Sequence, residues 1–337
     1  MWERRSGLKA TDPVATVSVI VPSWNKEDFI GETIDSALAQ EGVRVEVVVV
    51  DDGSTDRSLE ILEGYGDRIR LHRPGKNSGA ARARNAGAAL ATGNFFIFLD
   101  ADDLLADPGT LTAMVEGLEG RTDALAACPW QRLRLEGDRW EVYSPEKPLD
   151  PPGGDPVSAW LGNWYIPPCA ILWPRELFEA SGGWNPRLAA TDDEELMIRM
   201  LLRGAPIVRA DRGEALYRYF EEGGTLSTTP SRSLAAGRLE GIRLIEAEMT
   251  AQGVLPRYAQ DLGRKYSGLA RTYLAPFPDL SMEALADADR HVDRSRVEGS
   301  PVHRILARAL GLERKERITR WMASRGLVRR GSRTRTA

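Results

Sequence analysis

Asp100-Ala101-Asp102-Asp103 follows the apolar run Phe95-Phe96-Ile97-Phe98-Leu99 without a break. Such a run predicts a buried strand, with the carboxylates standing at its C-terminal end. Open α/β sheets bind their ligands at that edge. Carboxylates packed this closely repel one another unless a cation neutralises them. Hard oxygen ligands that leave room for phosphate oxygens suit Mg²⁺ or Mn²⁺. The alternative is an acidic strand-to-helix turn in which Asp103 caps the next helix. Taken alone, the motif divides evenly between the two readings.

Three further segments carry chemistry of the same kind. Val17-Ser18-Val19-Ile20-Val21-Pro22-Ser23-Trp24-Asn25-Lys26-Glu27 reads as a first strand and its exit loop. It puts Pro22, Asn25 and Glu27 on the ligand edge, although a plain strand, turn and helix start would also account for it. A second strand, Val45 to Val50, ends in Asp51-Asp52-Gly53-Ser54. A carboxylate there can accept the ring N–H of a uracil or guanine; helix capping by Asp51 or Asp52 is the other use. An acidic side chain can also read a ribose in dinucleotide folds, but no Gly-x-Gly-x-x-Gly follows the first strand. Lys76-Asn77-Ser78-Gly79-Ala80-Ala81-Arg82-Ala83-Arg84-Asn85 places cations at a helix start, where N–H groups and basic side chains suit a diphosphate. Arg82 and Arg84 cannot share one helix face. One of them, Arg84, and Lys76 are the candidates for the ligand.

The elements that must position these residues are legible from the hydrophobic pattern. Phe29, Ile30, Ile34, Ala37 and Leu38 recur at helical spacing after the first strand. Ser54 is a natural N-cap for a helix carrying Leu59, Ile61 and Leu62. Ile69 to His72 is a short strand, and Ala80 to Leu90 an alanine-rich helix. This alternation implies a doubly wound, mostly parallel α/β sheet. After Gly120 the pattern changes to strands over Ala124–Leu135, Trp140–Tyr143, Ala170–Trp173 and Ala215–Phe220. Six of the nine tryptophans lie between Trp130 and Trp184, as core or as platforms for sugar rings. From Ser231 onward the chain reads as helices over Arg238–Met249, Tyr258–Tyr273, Met282–Val292 and Val302–Ala323. The expected divisions are a polar arm over 1–15, a ligand-binding half over 16–120 and a second half of the same domain over 121–229. A helical C-terminal region over 230–328 and a disordered basic tail over 329–337 complete them.

The net charge of −4 argues against general nucleic-acid binding. The charge is uneven: residues 301–337 carry a local +9, against −13 in the rest of the chain. Two cysteines, Cys128 and Cys169, give no disulfide framework and no zinc spacing, which fits a reducing compartment. No run approaches the length of a membrane helix, and the N-terminus lacks an apolar signal core. A cytoplasmic protein is expected. In the tail, arginines alternate with Ile305, Leu306, Leu310, Leu312, Ile318, Trp321 and Met322 at mostly helical spacing. That pattern describes either a docked helix with solvated arginines or a basic amphipathic helix that makes peripheral contact with an anionic membrane.

Taken together and in order, Val-Ser-Val-Ile-Val-Pro-Ser-Trp-Asn, Val-Val-Val-Asp-Asp-Gly-Ser-Thr-Asp, Ala-Arg-Asn-Ala-Gly and Phe-Leu-Asp-Ala-Asp-Asp resemble the family-2 inverting nucleotide-sugar glycosyltransferases. The similarity continues through Gly182-Gly183-Trp184-Asn185, like that family's Gly-Gly-Phe-Asp element. It reaches Asp192-Asp193-Glu194-Glu195-Leu196-Met197-Ile198-Arg199, like its Glu-Asp-x-x-Leu-x-x-Arg helix. About residues 16 to 227 are covered. The resemblance implies a glycosyltransferase-A fold in which Asp52 reads the base and Pro22 and Glu27 line the nucleotide pocket. It makes Asp100 and Asp102 the Asp-x-Asp pair, with Asp102 the direct ligand of Mn²⁺ or Mg²⁺, and Asp193 the general base. Asp193 is preferred over Asp192, Glu194 and Glu195 because Leu196 and Arg199 follow it at the family's offsets. The implied reaction moves a sugar from a nucleotide-diphospho-sugar, most naturally UDP-linked, to a glycan or lipid-linked acceptor of the cell envelope or capsule.

The sequence departs from the family pattern at one place. Many relatives carry a metal-assisting histidine in a segment like Tyr-Arg-x-His-x-x-x-x-Ser, where this chain has Tyr217-Arg218-Tyr219-Phe220-Glu221. Either Asp102 and the diphosphate suffice as ligands, or Glu221 stands in. Two rival functions remain at this level. A sugar-1-phosphate nucleotidyltransferase expects a glycine- and lysine-rich first loop, which Pro22-Ser23-Trp24-Asn25 is not. A catalytically silent glycan-binding or scaffold protein is disfavoured by the intact Asp52, Asp102 and Asp193.

Overall fold

The computed structural model describes residues 15–144, 149–188, 191–220, 231–273, 275–291 and 301–325. The chain divides into two compact units, Met1–Gly154 with Tyr165–Thr229, and Asp155–Trp164 with Pro230–Ala337.

The first unit is built on alternating strands and helices. Its first half runs through β1 (Thr16–Ser23), α1 (Ile30–Leu38), β2 (Arg44–Asp51), α2 (Ser58–Glu63), β3 (Arg70–His72), α3 (Ala80–Leu90) and β4 (Phe95–Phe98). Next come β5 (Leu104–Leu105), α4 (Thr110–Gly117), β6 (Leu125–Ala127), β7 (Trp130–Glu136) and β8 (Arg139–Ser144). A short helix of the other unit, α5 (Pro156–Leu161), precedes β9 (Ile171–Pro174), α6 (Arg175–Ser181), α7 (Asp192–Leu202), β10 (Ile207–Arg209) and β11 (Ala215–Tyr219). Seven strands form one sheet in the order β10-β6-β9-β4-β1-β2-β3, parallel except for β9, which runs against both neighbours. The valine-rich β2 and the β1 core from Val17 to Val21 are buried on both faces, as central parallel strands must be. A second sheet in the order β5-β11-β7-β8 stands beside it.

Three local expectations are corrected. The apolar stretch from Ala124 to Leu135 is not one strand: Cys128-Pro129 separates β6 from β7, and the two belong to different sheets. Pro129 has no N–H for a ladder, so the chain changes sheet there. Ser54 does not cap α2. Its Oγ accepts from the Asn25 N–H at 3.0 Å, while Asp56 Oδ1 accepts from Ser58 N at 3.0 Å at the start of α2. Asp103 caps no helix either; it is buried, and its carboxylate accepts from Arg218 N at 3.0 Å.

The second unit holds α5 with α8 (Arg232–Ala251), α9 (Leu255–Tyr273), α10 (Pro278–Asp289), α11 (Pro301–Leu310) and α12 (Leu312–Ser324). It thus takes in Asp155–Trp164, which the sequence places within 121–229. Asp155 caps α5 by accepting from Val157 N and Ser158 N, and Ser158 Oγ donates to Asp261 of α9 at 2.8 Å. Val302 to Ala323 is not one helix. Gly311, at φ +83°, ends α11, and the Asp289 carboxylate caps the new helix through Leu312 N and Glu313 N. The disordered tail expected over 329–337, and all but the last residue of the arm expected over 1–15, lie outside the described residues.

Close approach of α3's exit to β1 makes a sharp test of this packing. A Cβ at Gly93 would sit 2.6 Å from Ser18 Oγ and 2.8 Å from both Ser18 N and Thr16 O. Gly93→Ala therefore has to push the central strand aside, an overpacking cost of about 1–3 kcal/mol. Urea denaturation should show the midpoint lowered; an unchanged midpoint would contradict this packing.

Candidate active site

The order of the large sheet places a topological switch between β1 and β4. From β1 the chain leaves through α1 to β2 on one side, and it returns through α3 to β4 on the other. The loops leaving the C-terminal ends of these two strands must diverge, and the crevice between them is where such sheets bind ligands. The exit loop of β1 carries Asn25, Lys26 and Glu27, and that of β4 carries Asp100 to Asp103.

Arg84 lies at the centre of the acidic cluster. It is buried on α3, and its guanidinium holds Asp100 through Nη2 at 2.6 Å and Asp192 through Nη1 at 2.8 Å. The Trp184 ring covers it at 4.5 Å. Burial disfavours the charged guanidinium, but Asp100 and Asp192 outweigh this and hold its pKa above the ordinary arginine value. Arg82 is exposed, so only Arg84 of the pair reaches the cluster. The neighbouring Asn85 ties α3 to the Gly182-Gly183-Trp184 turn, donating to Trp184 O at 2.7 Å and accepting from Trp184 N at 3.0 Å. Gly183 is at φ +72°, and a Cβ there would lie 2.7 Å from Asn85 Oδ1, so the turn needs glycine. Arg199 of α7 completes the arrangement by donating to the Ser181 and Gly183 carbonyls while paired with Glu195.

Asp102 has a different partner. Lys26 Nζ sits 2.5 Å from its Oδ2. Arg218, buried on β11, donates to Asp102 O at 2.8 Å and to Glu32, and its guanidinium lies over Phe29 at 5.1 Å. Burial raises the Asp102 pKa, and Asp100 adds to the rise while Lys26 opposes it. The carboxyl of Asp103 is pushed well up by burial and by Asp102 and Asp100. Neither Lys26 nor the clamp role of Arg218 stood out in the sequence. Lys26 adjoins Asn25, but nothing in the linear pattern says that it turns toward a strand 76 residues later.

Other predicted residues are committed to holding the edge together. The Asp52 carboxylate accepts from Ser78 N, Ser78 Oγ and Gly79 N at 2.7–2.9 Å, fixing it at the start of α3. Gly53, at φ +83°, lets residues 76–77 lie against the β2 exit. Asn25 Oδ1 accepts from Thr55 N at 2.7 Å, and Glu27 Oε2 accepts from Arg57 N and Nε at 3.1 Å. These two side chains staple one exit loop to the other. Pro22 ends β1 beside Val50. Lys76 is exposed and is not brought into the cluster. Glu221 lies outside the described residues, as do Gly223 and Gly224.

Asp193 occupies the first turn of α7, after Thr191 in the left-handed region at φ +61°. Asp192 is spent on Arg84, and burial, the largest influence, raises its pKa to about 6. Asp193 has no ion-pair partner among the described residues. Burial raises its pKa as well, with Glu194 and Asp100 adding to the rise and Arg84 opposing it. Of the four neighbouring acids Asp100, Asp102, Asp192 and Asp193, it alone carries no cation.

A divalent ion fits this set only in part. Among the described residues no three His, Cys, Asp or Glu groups converge on one point. Asp102 offers one carboxylate, and an ion there needs phosphate oxygens from a bound donor, which is how Mg²⁺ commonly binds.

The model of the family described as Glycosyl transferase family 2 matches residues 18–180. The chain carries a family-2 glycosyltransferase domain. It is 38% identical over 136 residues to the succinoglycan biosynthesis protein ExoO of Rhizobium meliloti, covering 40% of this chain and 39% of that protein. It is 27% identical over 228 residues to the glycosyltransferase GlyG of Streptococcus pneumoniae, covering 63% of this chain and 73% of GlyG. The chain spans 39% to 58% of the two leading curated relatives. Among solved structures, residues 1–349 of S. aureus TarS in complex with UDP-GlcNAc superpose with a TM-score of 0.67 at 20% identity, over 94% of this chain and 93% of that one. The glycosyltransferase-A fold of this family-2 domain is thereby shown.

The clamp makes a stability prediction. Arg84→Met would leave Asp100 and Asp192 buried without their cation, a loss of about 3–5 kcal/mol for a broken buried pair. Chemical denaturation at neutral pH measures it. The deficit should shrink as pH falls toward about 6, because without Arg84 the Asp192 carboxyl takes up its proton at a higher pH than the paired wild-type group, whose pKa is about 6. A wild-type midpoint would show that the clamp contributes nothing.

Proposed function

We propose that the protein is an inverting glycosyltransferase that moves a sugar from a nucleotide-diphospho-sugar, UDP-linked, to a hydroxyl of a glycan or lipid-linked acceptor. Cell-envelope or capsular polysaccharide is the proposed product, in keeping with the similarity to ExoO, a succinoglycan biosynthesis protein. The observation that carries the reading is the division of cations in the acidic cluster. Asp100, Asp102 and Asp192 are each paired with a cationic side chain, two of them sharing Arg84, whereas Asp193 has a raised pKa and no ion pair among the described residues. A sugar hydroxyl is a poor nucleophile, and a carboxylate within reach of its proton removes it as attack proceeds. Raising the pKa of Asp193 makes it a better acceptor of that proton.

The other residues bind and orient. Asp52, fixed by Ser78 and Gly79, reads the ring N–H of the base. Pro22, Asn25 and Glu27 shape the nucleotide edge. Arg84 keeps Asp100 and Asp192 from repelling Asp193. A divalent ion at Asp102 would carry the charge that develops on the departing nucleoside diphosphate. TarS, whose fold this domain shares, binds UDP and UDP-GlcNAc, which supports a UDP-linked donor. Attack from the side opposite the leaving group inverts the anomeric centre. Turnover of UDP-sugars by the purified chain separates this reading from a silent glycan-binding protein.

Asp193→Asn keeps the shape but cannot take the proton. It should leave UDP-sugar binding nearly intact in calorimetry while lowering transfer on the order of 10²–10⁴-fold. If Asp192→Asn were the more damaging change to chemistry, the base would be assigned one residue too far along α7.

Asp102→Ala should abolish the Mn²⁺-dependent part of the thermal stabilisation that UDP gives the wild-type chain. Full Mn²⁺ dependence in the mutant would remove Asp102 from the metal site.

The basic C-terminal helices are proposed to rest on the inner face of the plasma membrane, where a lipid-linked acceptor resides. No described helix is long and apolar enough to cross a membrane. Ile305, Ile318 and Trp321 are 64%, 40% and 53% exposed among arginines, however, which suits a surface contact. Each basic residue near an anionic surface contributes about 1 kcal/mol. Sedimentation with anionic liposomes should show salt-sensitive binding of the full chain, reduced by Ile318→Glu with Trp321→Glu. Equal partitioning of the two proteins would leave the helices as ordinary packing.

A further inference from the structure

One arginine in the first unit has no carboxylate partner among the described residues, although it lies among aromatic rings. Arg132 sits on β7 opposite Tyr217 of β11 in a parallel pair, so the two side chains share a face of the smaller sheet. Its guanidinium lies 5.9 Å from the Trp130 ring, 5.3 Å from Tyr165 and 5.7 Å from Tyr219. Among the described residues its one hydrogen bond is from Nη2 to the Tyr165 hydroxyl at 2.5 Å. Its Nε is buried with no acceptor. Two residues along the same strand face, Arg134 is paired with Glu136, so a carboxylate partner is available to this face and Arg132 goes without one.

The position of this group matters more than its isolation. Tyr165 is held by Arg132 and feels the charge of Asp193. Tyr217 feels Asp193, Asp103 and Asp100. Arg132 thus contacts a tyrosine that lies within electrostatic reach of the proposed base. Tyr165 and Tyr217 are only half-buried, so an acceptor that offers a hydroxyl to Asp193 can lie against them, while the buried Trp130 backs the guanidinium. Aromatic faces of this kind hold the apolar faces of sugar rings and steady a guanidinium. A planar fork held that way presents paired donors that match a phosphate or carboxylate.

We propose that Arg132, caged by Trp130, Tyr165 and Tyr219, is a binding residue for an anionic group carried by the acceptor, so that the acceptor is a phosphate- or carboxylate-bearing polyol or glycan. This rests on the reading of Asp193 as the base for the placement of the acceptor. Arg132 does no chemistry. It anchors the negative group and thereby sets which hydroxyl of the acceptor reaches Asp193. A neutral acceptor leaves the guanidinium with the same unsatisfied donors it has now, and selectivity for anionic acceptors follows.

Calorimetry with the full chain saturated with UDP tests this with three probes: glucose 6-phosphate, glucuronate and glucose. At least one of the two anions should bind about tenfold or more tightly than glucose, and Arg132→Gln should remove that margin. Arg132→Lys should retain more of the margin for the phosphate than for the carboxylate, since an ammonium acts as a point charge and lacks the fork. The two anionic arms distinguish a phosphate-bearing from a carboxylate-bearing acceptor. Equal binding of all three probes overturns the proposal, as does absence of binding by both anions. A margin that survives in an Arg132→Gln protein with wild-type circular dichroism overturns it too. Stabilisation of the wild-type chain by UDP is read separately: its absence overturns the glycosyltransferase reading, whereas the anion margin and its loss in Arg132→Gln would still stand.

Discussion

Burying several carboxylates together at one sheet edge is possible only where cations are interleaved with them, and in this protein Arg84 does most of that work. Its two ion pairs join α3, the exit of β4 and the first turn of α7, three elements distant in sequence. Asp100 and Asp192 would otherwise repel each other and Asp193 in a poorly solvated setting. The rest of the local structure serves to hold the guanidinium in place. Asn85 fixes the glycine turn that brings Trp184 over it, and Arg199 closes the same turn from α7. Segments that look like separate signatures in the sequence are thus parts of one packed assembly.

The same constraint explains why the acids are not equivalent. Lys26 stands on Asp102 and Arg84 is shared between Asp100 and Asp192, so two cations face three of the four acids. Asp193 has a pKa raised by burial and no ion pair among the described residues, the setting proposed for a general base. Lys26 also bears on metal binding. Under the proposed function, a divalent ion at Asp102 would meet a carboxylate already partnered by an ammonium, and the diphosphate of the proposed donor would offer that ammonium another partner.

Much of the architecture was legible because its physical signals are local. Buried valine runs, acidic strand ends and the helix over Ala80–Leu90 all appear where the pattern puts them. The errors have local causes too. Pro129 breaks an apolar stretch between two sheets, Gly311 breaks an amphipathic one, and Ser54 turns its hydroxyl to Asn25 instead of a helix end. The candidate site was legible in its acids and far less so in its cations. Asp52, Asp100 and Asp102 stand out as acids at strand ends, whereas Asp193 is singled out from its acidic neighbours only by the resemblance to the family's helix. Lys26, Arg218 and Arg132 acquire their roles from partners 76 to 186 residues away or from aromatic neighbours on adjacent strands. No periodicity encodes such pairings.

The pH dependence of kcat/KM for sugar transfer by the wild-type chain tests the central claim most directly, because it reports the ionisation of the free protein's base. Asp193 must be unprotonated to accept the acceptor's proton, so the rate falls as pH drops through its pKa. With burial raising that pKa, the acid limb should lie above the ordinary aspartate value of 3.8 and should disappear in Asp193→Asn. A limb at or below 3.8, or one that persists unchanged in that variant, would contradict the assignment of Asp193 as the uncompensated base.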